Sequence, residues 1–127
     1  MTEAEIAEVA QLLHECYAWL GAREALSRAQ IDFLQAVRGS RETVAEESRA
    51  ETYLVARDGP RLAGLVAVKG NVITRLYVHS SKHRRGVGRE LFNAAEGMIR
   101  AGGHGRLCLT AFHSALPFYE AMGLRAV

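Results

Sequence analysis

The sequence predicts an α/β fold of the mixed α+β kind, with helices packed on a central, mostly antiparallel sheet. Two helical patterns occupy the first 50 residues, three short strand patterns follow, and a glycine loop then leads into a long amphipathic helix and one more strand. Strands joined through a helix run parallel, so the strands flanking that helix should form a parallel pair that splays open at a ligand site. The 127 residues correspond to about one domain.

Two helices are predicted at the N-terminus from their capping signals. Thr2 starts a Thr-x-x-Glu capping box, an apolar stripe follows, and Gly21 is the expected stop. Ser27 opens a second helix in the same way, and Gly39 ends it. The polar stretch Ser40–Ala50 fits either a helical turn or a mobile loop.

Three strands then form an antiparallel meander. Short β-branched and apolar runs cover Thr52–Arg57, Arg61–Lys69 and Val72–His79. Asp-Gly-Pro and Gly-Asn turns separate these runs.

A strand, a glycine loop and a helix follow the meander. The loop Gly86-Val87-Gly88 opens a helix whose apolar stripe ends at Gly102-Gly103. A further strand is predicted over Arg106–Ala111, and Ser114 caps a short helix that runs through Met122 toward a last extended segment.

Composition excludes several classes of protein. Apolar residues make up 49% and charged residues 24% of the chain, which is typical of a folded globular domain. No apolar run reaches the roughly 18 residues of a membrane span, and the acidic start does not resemble a secretory signal, so a cytoplasmic protein is expected. Two distant cysteines and scattered histidines predict neither a disulfide scaffold nor a metal site.

Positive charge is concentrated in one half of the chain. Residues 1–50 carry five Lys/Arg and nine Asp/Glu, whereas residues 51–127 carry eleven and five. The stretch Arg75–Arg89 contains five of these cations and no acid, so an anion is expected to bind there.

The segment His83–Leu91 has the features of a phosphate-binding loop. Glycines let the backbone approach an anion, and the first N–H groups of a helix have no acceptor within that helix. The segment lacks the Lys-Ser/Thr ending of a Walker A loop, and Leu91 stands where a dinucleotide fingerprint needs its third glycine.

Two motifs resemble the GNAT superfamily of N-acetyltransferases. The first is the acyl-CoA signature [Gln/Arg]-x-x-Gly-x-[Gly/Ala], here His83-Arg-Arg-Gly-Val-Gly88 after a strand. The second is Ala115-Leu-Pro-Phe-Tyr-Glu-Ala-Met-Gly-Leu124, which is similar to the family's Ala-x-x-Phe-Tyr-x-x-x-Gly-Phe ending. The likeness extends from Thr52 to Leu124, and implies one domain in which residues 1–50 form the acceptor side and residues 51–127 bind acyl-CoA.

The resemblance implies an N-acetyltransferase that uses acetyl-CoA as co-substrate and needs no metal. Backbone N–H groups of Arg85–Arg89 would hold the pyrophosphate, the strand Leu76–Val78 would hold the pantetheine arm, and Tyr119 would protonate the leaving thiolate. A phenol suits that role because its pKa of about 10 keeps it protonated at neutral pH. The implied acyl-CoA-binding residues are Leu76, Tyr77, Val78, Arg84, Arg85, Gly86, Val87, Gly88 and Arg89.

The sequence identifies neither the general base nor the amine acceptor. Some family members carry a glutamate on the strand that corresponds to Val72–His79, but this strand has none, and Arg75 stands near the expected place. Arg75 is expected to be a surface charge, although it could also bind an acceptor carboxylate. The acceptor is a small-molecule or peptide amine, bound near residues 22–50. Candidate bases are Glu47, Glu51, Tyr53, Tyr77, His79 and His113.

Departures from the family pattern leave two alternatives. His83 replaces Gln or Arg, Phe112 takes a position often held by Asn, and Leu124 replaces the final Phe. The family's first strand and its C-terminal hairpin are not expected in this chain, so either a second subunit covers the exposed sheet edge as a homodimer, or the acceptor site is incomplete. The second case favours a weakly active or inactive CoA-binding or sensing module. Nucleic-acid binding is disfavoured because no aromatic residues interleave the cations, and neither a nucleic acid nor a membrane is an expected partner.

Overall fold

The computed structural model describes residues 1–111 and 115–125. Within these residues the α-helices are α1 (Glu3–Arg23), α2 (Arg28–Phe33), α3 (Arg41–Ala50), α4 (Val87–Ala101) and α5 (Leu116–Ala121). The strands are β1 (Thr52–Asp58), β2 (Arg61–Lys69), β3 (Val72–Val78) and β4 (Cys108–Leu109). None of the described helices is both long enough and apolar enough to cross a bilayer.

The predicted mixed sheet is confirmed. The four strands lie in the order β1-β2-β3-β4, with antiparallel pairing between β1 and β2 and between β2 and β3. Strand β4 runs parallel to β3 and pairs with it only at Val72–Cys108 and Ile73–Leu109. The rest of β3 has no partner on that side among the described residues, so the parallel pair splays as expected.

The helical region differs from its prediction in three places. Helix α1 continues past Gly21 to Arg23, and this glycine is instead a packing contact, since a Cβ there would lie 2.6 Å from the side chain of Ile31. The second helix runs without a break from α2 into a π-helical turn, Leu34–Arg38, and ends at Gly39 as predicted. The ambiguous stretch 40–50 is helix α3, and the Ser40 side chain caps it by accepting from the backbone N–H of Thr43.

The strands around the splay are shorter than predicted. Strand β4 covers two residues because β3 bulges immediately after Ile73 and turns away from it. Strand β3 ends one residue early, since the His79 side chain accepts a hydrogen bond from the Ser81 N–H and caps a 3₁₀ turn. The predicted cap at Ser114 and the end of the last segment lie outside the described residues.

The sheet is covered on both faces by different elements. The α4 face is apolar and contains Val66, Val68, Ile73, Leu91, Phe92, Ala95, Ile99 and Tyr119. The α1 face packs under α1 and α3 and contains Val9, Leu12, Leu13, Cys16, Tyr17, Val44 and Leu65. Strand β2 is buried on both sides over six consecutive residues, which explains its unbroken apolar sequence.

Candidate active site

One cavity of about 760 Å³ opens where β3 and β4 separate. Helix α1, strand β3, the loop before α4 and helix α5 form its walls. The described lining residues contributed by α1 are Cys16, Trp19, Leu20 and Arg23. The cavity therefore lies at the splayed parallel pair, where the sequence predicts a ligand site.

A bulge in β3 creates the opening. Ala67 of β2 pairs with Arg75 and the next residue, Val68, pairs with Ile73, so Thr74 is the extra residue on β3. This bulge comes directly after the last pair with β4, Ile73–Leu109. Beyond the bulge, β3 has no partner on the β4 side among the described residues, so its edge is free there.

The free edge of β3 presents backbone hydrogen-bonding groups to the cavity. Antiparallel pairs alternate between hydrogen-bonded and non-hydrogen-bonded positions. The His79 N–H donates to the Ala63 carbonyl at 2.8 Å, so the groups of Leu76 and Val78, an odd number of residues away, point to the opposite, open side. An extended ligand can pair with that edge as an added strand.

The loop before α4 turns sharply and delivers an uncapped helix start. Arg84 and Gly86 both have positive φ, at 63° and 83°. Gly86 is the N-cap of α4 and supplies no side-chain cap, so the N–H groups of Val87, Gly88 and Arg89 keep no helical acceptor. Such a helix start binds anions through these N–H groups and the helix dipole.

Different constraints require glycine at the two glycine positions of this loop, Gly86 and Gly88. A Cβ on Gly86 would meet open space, but its positive φ is strained for other residues. A Cβ on Gly88 would lie 3.2 Å from the ring of Phe118, so the missing side chain lets α5 pack closely against α4. Only Gly86 therefore leaves open space on the approach to the helix start.

His83, which departs from the family signature, holds the loop against β3. Its Nε2–H donates to the Val78 carbonyl at 2.9 Å, and its ring contacts Trp19 edge-on with centroids 4.7 Å apart. The guanidinium of Arg23 lies 5.5 Å from the centre of the Trp19 ring. The imidazole is thus hydrogen-bonded to one of the backbone carbonyls on the free edge of β3, and its contact with Trp19 links the loop to α1.

The cavity is strongly cationic. Its described lining contains no Asp or Glu, and the cations there are Arg23, Arg75, Lys82, Arg84 and Arg89. Lys82 is paired with Asp58, and Arg75 with Glu47. Arg84 and Arg89 form no ion pair within the described residues, so their charge is available to an anion.

Tyr119 and Cys16 are the buried acidic groups of the cavity wall. Tyr119 is 9% exposed, and burial raises the pKa of its phenol to about 12. Burial, with a smaller contribution from the charge of Glu15, raises the pKa of the Cys16 thiol to about 12 as well. At neutral pH both groups are therefore protonated, and the thiol is not a thiolate nucleophile.

Arg75 is a buried structural cation, so the expectation of a surface charge is wrong. It is 3% exposed and donates to the Tyr17 hydroxyl at 3.1 Å, the Arg38 carbonyl at 2.7 Å and the Glu47 carboxylate at 2.8 Å. Arg38 adds a second ion pair to Glu47 at 2.7 Å. Burial raises the pKa of Glu47, but hydrogen bonds from Arg38 and Arg75 outweigh burial and leave it lowered. A carboxylate so held is a poor base.

The other candidate bases are either buried phenols or groups that already have a hydrogen-bond partner, apart from His113. Burial raises the pKa of both Tyr77 and Tyr53. The ring of Tyr77 contacts Tyr17 edge-to-face, with the ring centroids 5.3 Å apart. His79 donates from Nε2 to Glu15 at 2.9 Å and is not part of the described cavity lining. Glu51 accepts a hydrogen bond from the Thr74 hydroxyl. His113 lies outside the described residues.

Most of the residues implied to bind acyl-CoA lie together at the cavity. The described lining includes Leu76, Tyr77, Val78, Arg84, Gly86, Gly88, Arg89 and the proposed acid Tyr119. Arg85 is exposed and outside this lining, and Val87 packs toward the α4 face. The sequence analysis did not predict that Thr74 or residues of α1 line the cavity. The one sequence feature that could have pointed to α1 is Trp19, the single tryptophan of the chain.

A family model matches most of the chain. Residues 22–127 match the model of an acetyltransferase (GNAT) domain. The chain belongs to the GNAT acetyltransferase family. The expected family is thereby confirmed for a region that contains the cavity walls from β3, α4 and α5. No curated protein matches the chain.

Solved structures of this family share the fold. A GCN5-related N-acetyltransferase from Rhodopseudomonas palustris has 24% identity and a TM-score of 0.86 over 96% of this chain and 76% of that one. The PaiA N-acetyltransferase from Thermoplasma acidophilum in complex with coenzyme A has 16% identity and a TM-score of 0.80, covering 97% and 83%. A Ralstonia eutropha GCN5-related N-acetyltransferase has 18% identity and a TM-score of 0.75, covering 96% and 89%.

Proposed function

We propose that this GNAT protein transfers an acetyl group from acetyl-CoA directly to a primary amine. The observation that carries the proposal is the convergence of an uncapped helix start and a free strand edge on one cationic cavity. A pyrophosphate and an extended amide-bearing arm are the two chemical features that such a cavity accepts together. The family membership supports the same reaction class.

The proposed roles follow from the positions of the groups. The N–H groups at the start of α4 bind the pyrophosphate, and Arg84 and Arg89 attract it. The edge groups of Leu76 and Val78 hold the pantetheine arm and orient the thioester. Tyr119 protonates the departing thiolate. Direct transfer is favoured over an acetylated cysteine because the raised pKa of Cys16 keeps its thiol protonated.

The acceptor is a small-molecule or peptide amine, and the proposed location is the cytoplasm. The second candidate function is a CoA-binding or sensing module with weak activity, favoured by the lack of a glutamate on β3.

A homodimer that covers the free edge of β1 is a further proposal. Size-exclusion chromatography with light scattering tests it, and a monomer at all concentrations contradicts it.

Calorimetric titration with acetyl-CoA, and separately with CoA, tests the co-substrate. We expect 1:1 binding that weakens at higher salt. Gly86→Glu should abolish binding because it places an anion at the helix start. Gly70→Glu is the matched control, since Gly70 has a similar φ of 62° and open space at its Cβ but is not in the described cavity lining. Equal binding by both folded variants would contradict the pyrophosphate site.

Tyr119→Phe tests the proposed acid and separates an enzyme from a binding module. We expect turnover to fall by about 100-fold with acetyl-CoA affinity nearly unchanged, because the ring packing on Phe92 and Phe118 is kept. Thiol release during the reaction measures the turnover. A fully active Phe variant removes Tyr119 as the acid.

A further inference from the structure

Amine acetylation requires a group that removes a proton from the acceptor, because an ammonium has no lone pair for attack. This chain has no glutamate on β3. A base is therefore expected among carboxylates that reach the cavity from other elements and are not neutralised by a cation.

Other carboxylates near the cavity already have partners. Glu47 pairs with Arg38 and Arg75, and Asp58 with Lys82. Glu15 accepts from Nε2 of His79, and neither residue is in the described cavity lining. Glu51, at the junction of α3 and β1, forms no ion pair within the described residues, and its partner is the neutral hydroxyl of Thr74.

Thr74 connects Glu51 with the cavity lining. It is the bulged residue of β3, it lines the cavity, and its Oγ1 donates to the Glu51 carboxylate. The same Oγ1 lies 3.2 Å from the Ala67 carbonyl, the alternative acceptor for its single proton. A hydroxyl with a carboxylate behind it can accept a proton from the cavity side while it passes its own proton on.

We infer that Thr74 and Glu51 form a proton relay that deprotonates the acceptor amine at the mouth of the splay. The inference rests on the proposed function. Thr74 contacts the amine, and Glu51 acts through Thr74 as a positioning residue and proton store. The bulge that opens the sheet also supplies the hydroxyl.

An alkylammonium acceptor loses two protons when it becomes an amide. The first passes to Thr74 Oγ1 while the Thr74 proton moves to Glu51, and Glu51 later releases it to solvent. The free amine then attacks the thioester, the C–N bond forms and the C–S bond breaks. The second proton from nitrogen replaces the one that Tyr119 gives to the thiolate.

Two small amines of different protonation state test the relay. Ethylamine is protonated at neutral pH, like a lysine of pKa about 10.4, whereas hydroxylamine is largely uncharged. Thiol release from acetyl-CoA is measured with each amine for wild type, Glu51→Gln, Thr74→Val and Thr74→Ser, after subtraction of the uncatalysed rate. Thr74→Val keeps the β-branched shape and removes only the hydroxyl. Glu46→Gln, on the exposed side of α3, is the matched control.

We expect Glu51→Gln and Thr74→Val to lower kcat with ethylamine about 100-fold, the usual contribution of a general base. The KM for acetyl-CoA and the rate with hydroxylamine should stay close to wild type. Thr74→Ser should restore most of the ethylamine activity, and Glu46→Gln should change nothing. A structural role alone would lower the rates with both amines equally.

The outcomes separate the relay from the proposed function. No binding of acetyl-CoA by folded wild type in the calorimetric titration overturns the proposed function and with it the relay. Binding followed by equal losses with both amines, by no loss in either variant, or by no wild-type acceleration of either amine overturns the relay alone.

Discussion

The two faces of the sheet are stabilised in different ways. The α4 face is closed by apolar side chains from the amphipathic helix α4, whereas the α1 face contains a buried arginine held by a carboxylate, a phenol and a carbonyl. Apolar packing tolerates small shifts, but a buried guanidinium needs its partners in fixed positions. The α1 face should therefore be more sensitive to single polar substitutions, and the α4 face to changes in volume.

Arg75→Met gives the largest expected effect on this comparison. It removes the cation that joins β3 to α3 and the π-helical turn, and it leaves the Tyr17 hydroxyl without a donor. We expect a loss of about 3 kcal/mol in the free energy of unfolding, the lower end for removing one partner of a buried pair, because Glu47 keeps Arg38. Urea denaturation measures it.

Arg57→Met is the matched control on the surface. Arg57 forms a bidentate pair with Glu8, but both side chains are over a third exposed. Such exposed pairs contribute little to stability, because water and salt screen their charges. If Arg75→Met costs no more than this control, the polar cluster does not stabilise the α1 face.

Gly64→Ala tests the apolar face in the opposite way, by adding volume. A Cβ at Gly64 would lie 2.8 Å from the Tyr77 carbonyl and 2.9 Å from Leu91, where α4 crosses the sheet. The carbonyl belongs to a paired strand and cannot move aside, so we expect a loss of about 1–3 kcal/mol in stability. Thermal unfolding measures it, and unchanged stability would mean that α4 can lift from the sheet.

Glu47→Gln sharpens the comparison through its pH dependence. Removing the charged acceptor of two arginines should lower stability at neutral pH by about 1.5 kcal/mol. The pKa of Glu47 is lowered in the fold, so its stabilisation is present above the unfolded pKa and is lost as pH falls through the folded pKa. The gap between wild type and variant should therefore close in acid. Denaturation curves from neutral to acidic pH check this, and a constant gap would contradict it.

The sequence predicts the loop and helix start at the cavity better than the α1 face of the sheet. The loop around Gly86 and the amphipathic stripe of α4 are local patterns, so both the helix start and the splay beside it could be predicted. Arg75 carries no such pattern, because its partners come from residues as far as 58 positions away. The bulge at Thr74 depends on how β2 and β3 register, and no spacing within β3 reveals it. The burial of Arg75 and the bulge at Thr74 depend on contacts between residues far apart in the sequence, which local patterns do not show.

The smallest expected effect is a gain in stability on the exposed side of α4. Gly97 lies inside α4 on its exposed side, and a Cβ there would meet nothing within 4 Å. Gly97→Ala should raise the free energy of unfolding by about 0.5–1 kcal/mol, because alanine removes the entropic cost of glycine in a helix. It should leave acetyl-CoA affinity unchanged, since Gly97 is outside the described cavity lining. A loss of stability would contradict the open space around this position on the exposed side of α4.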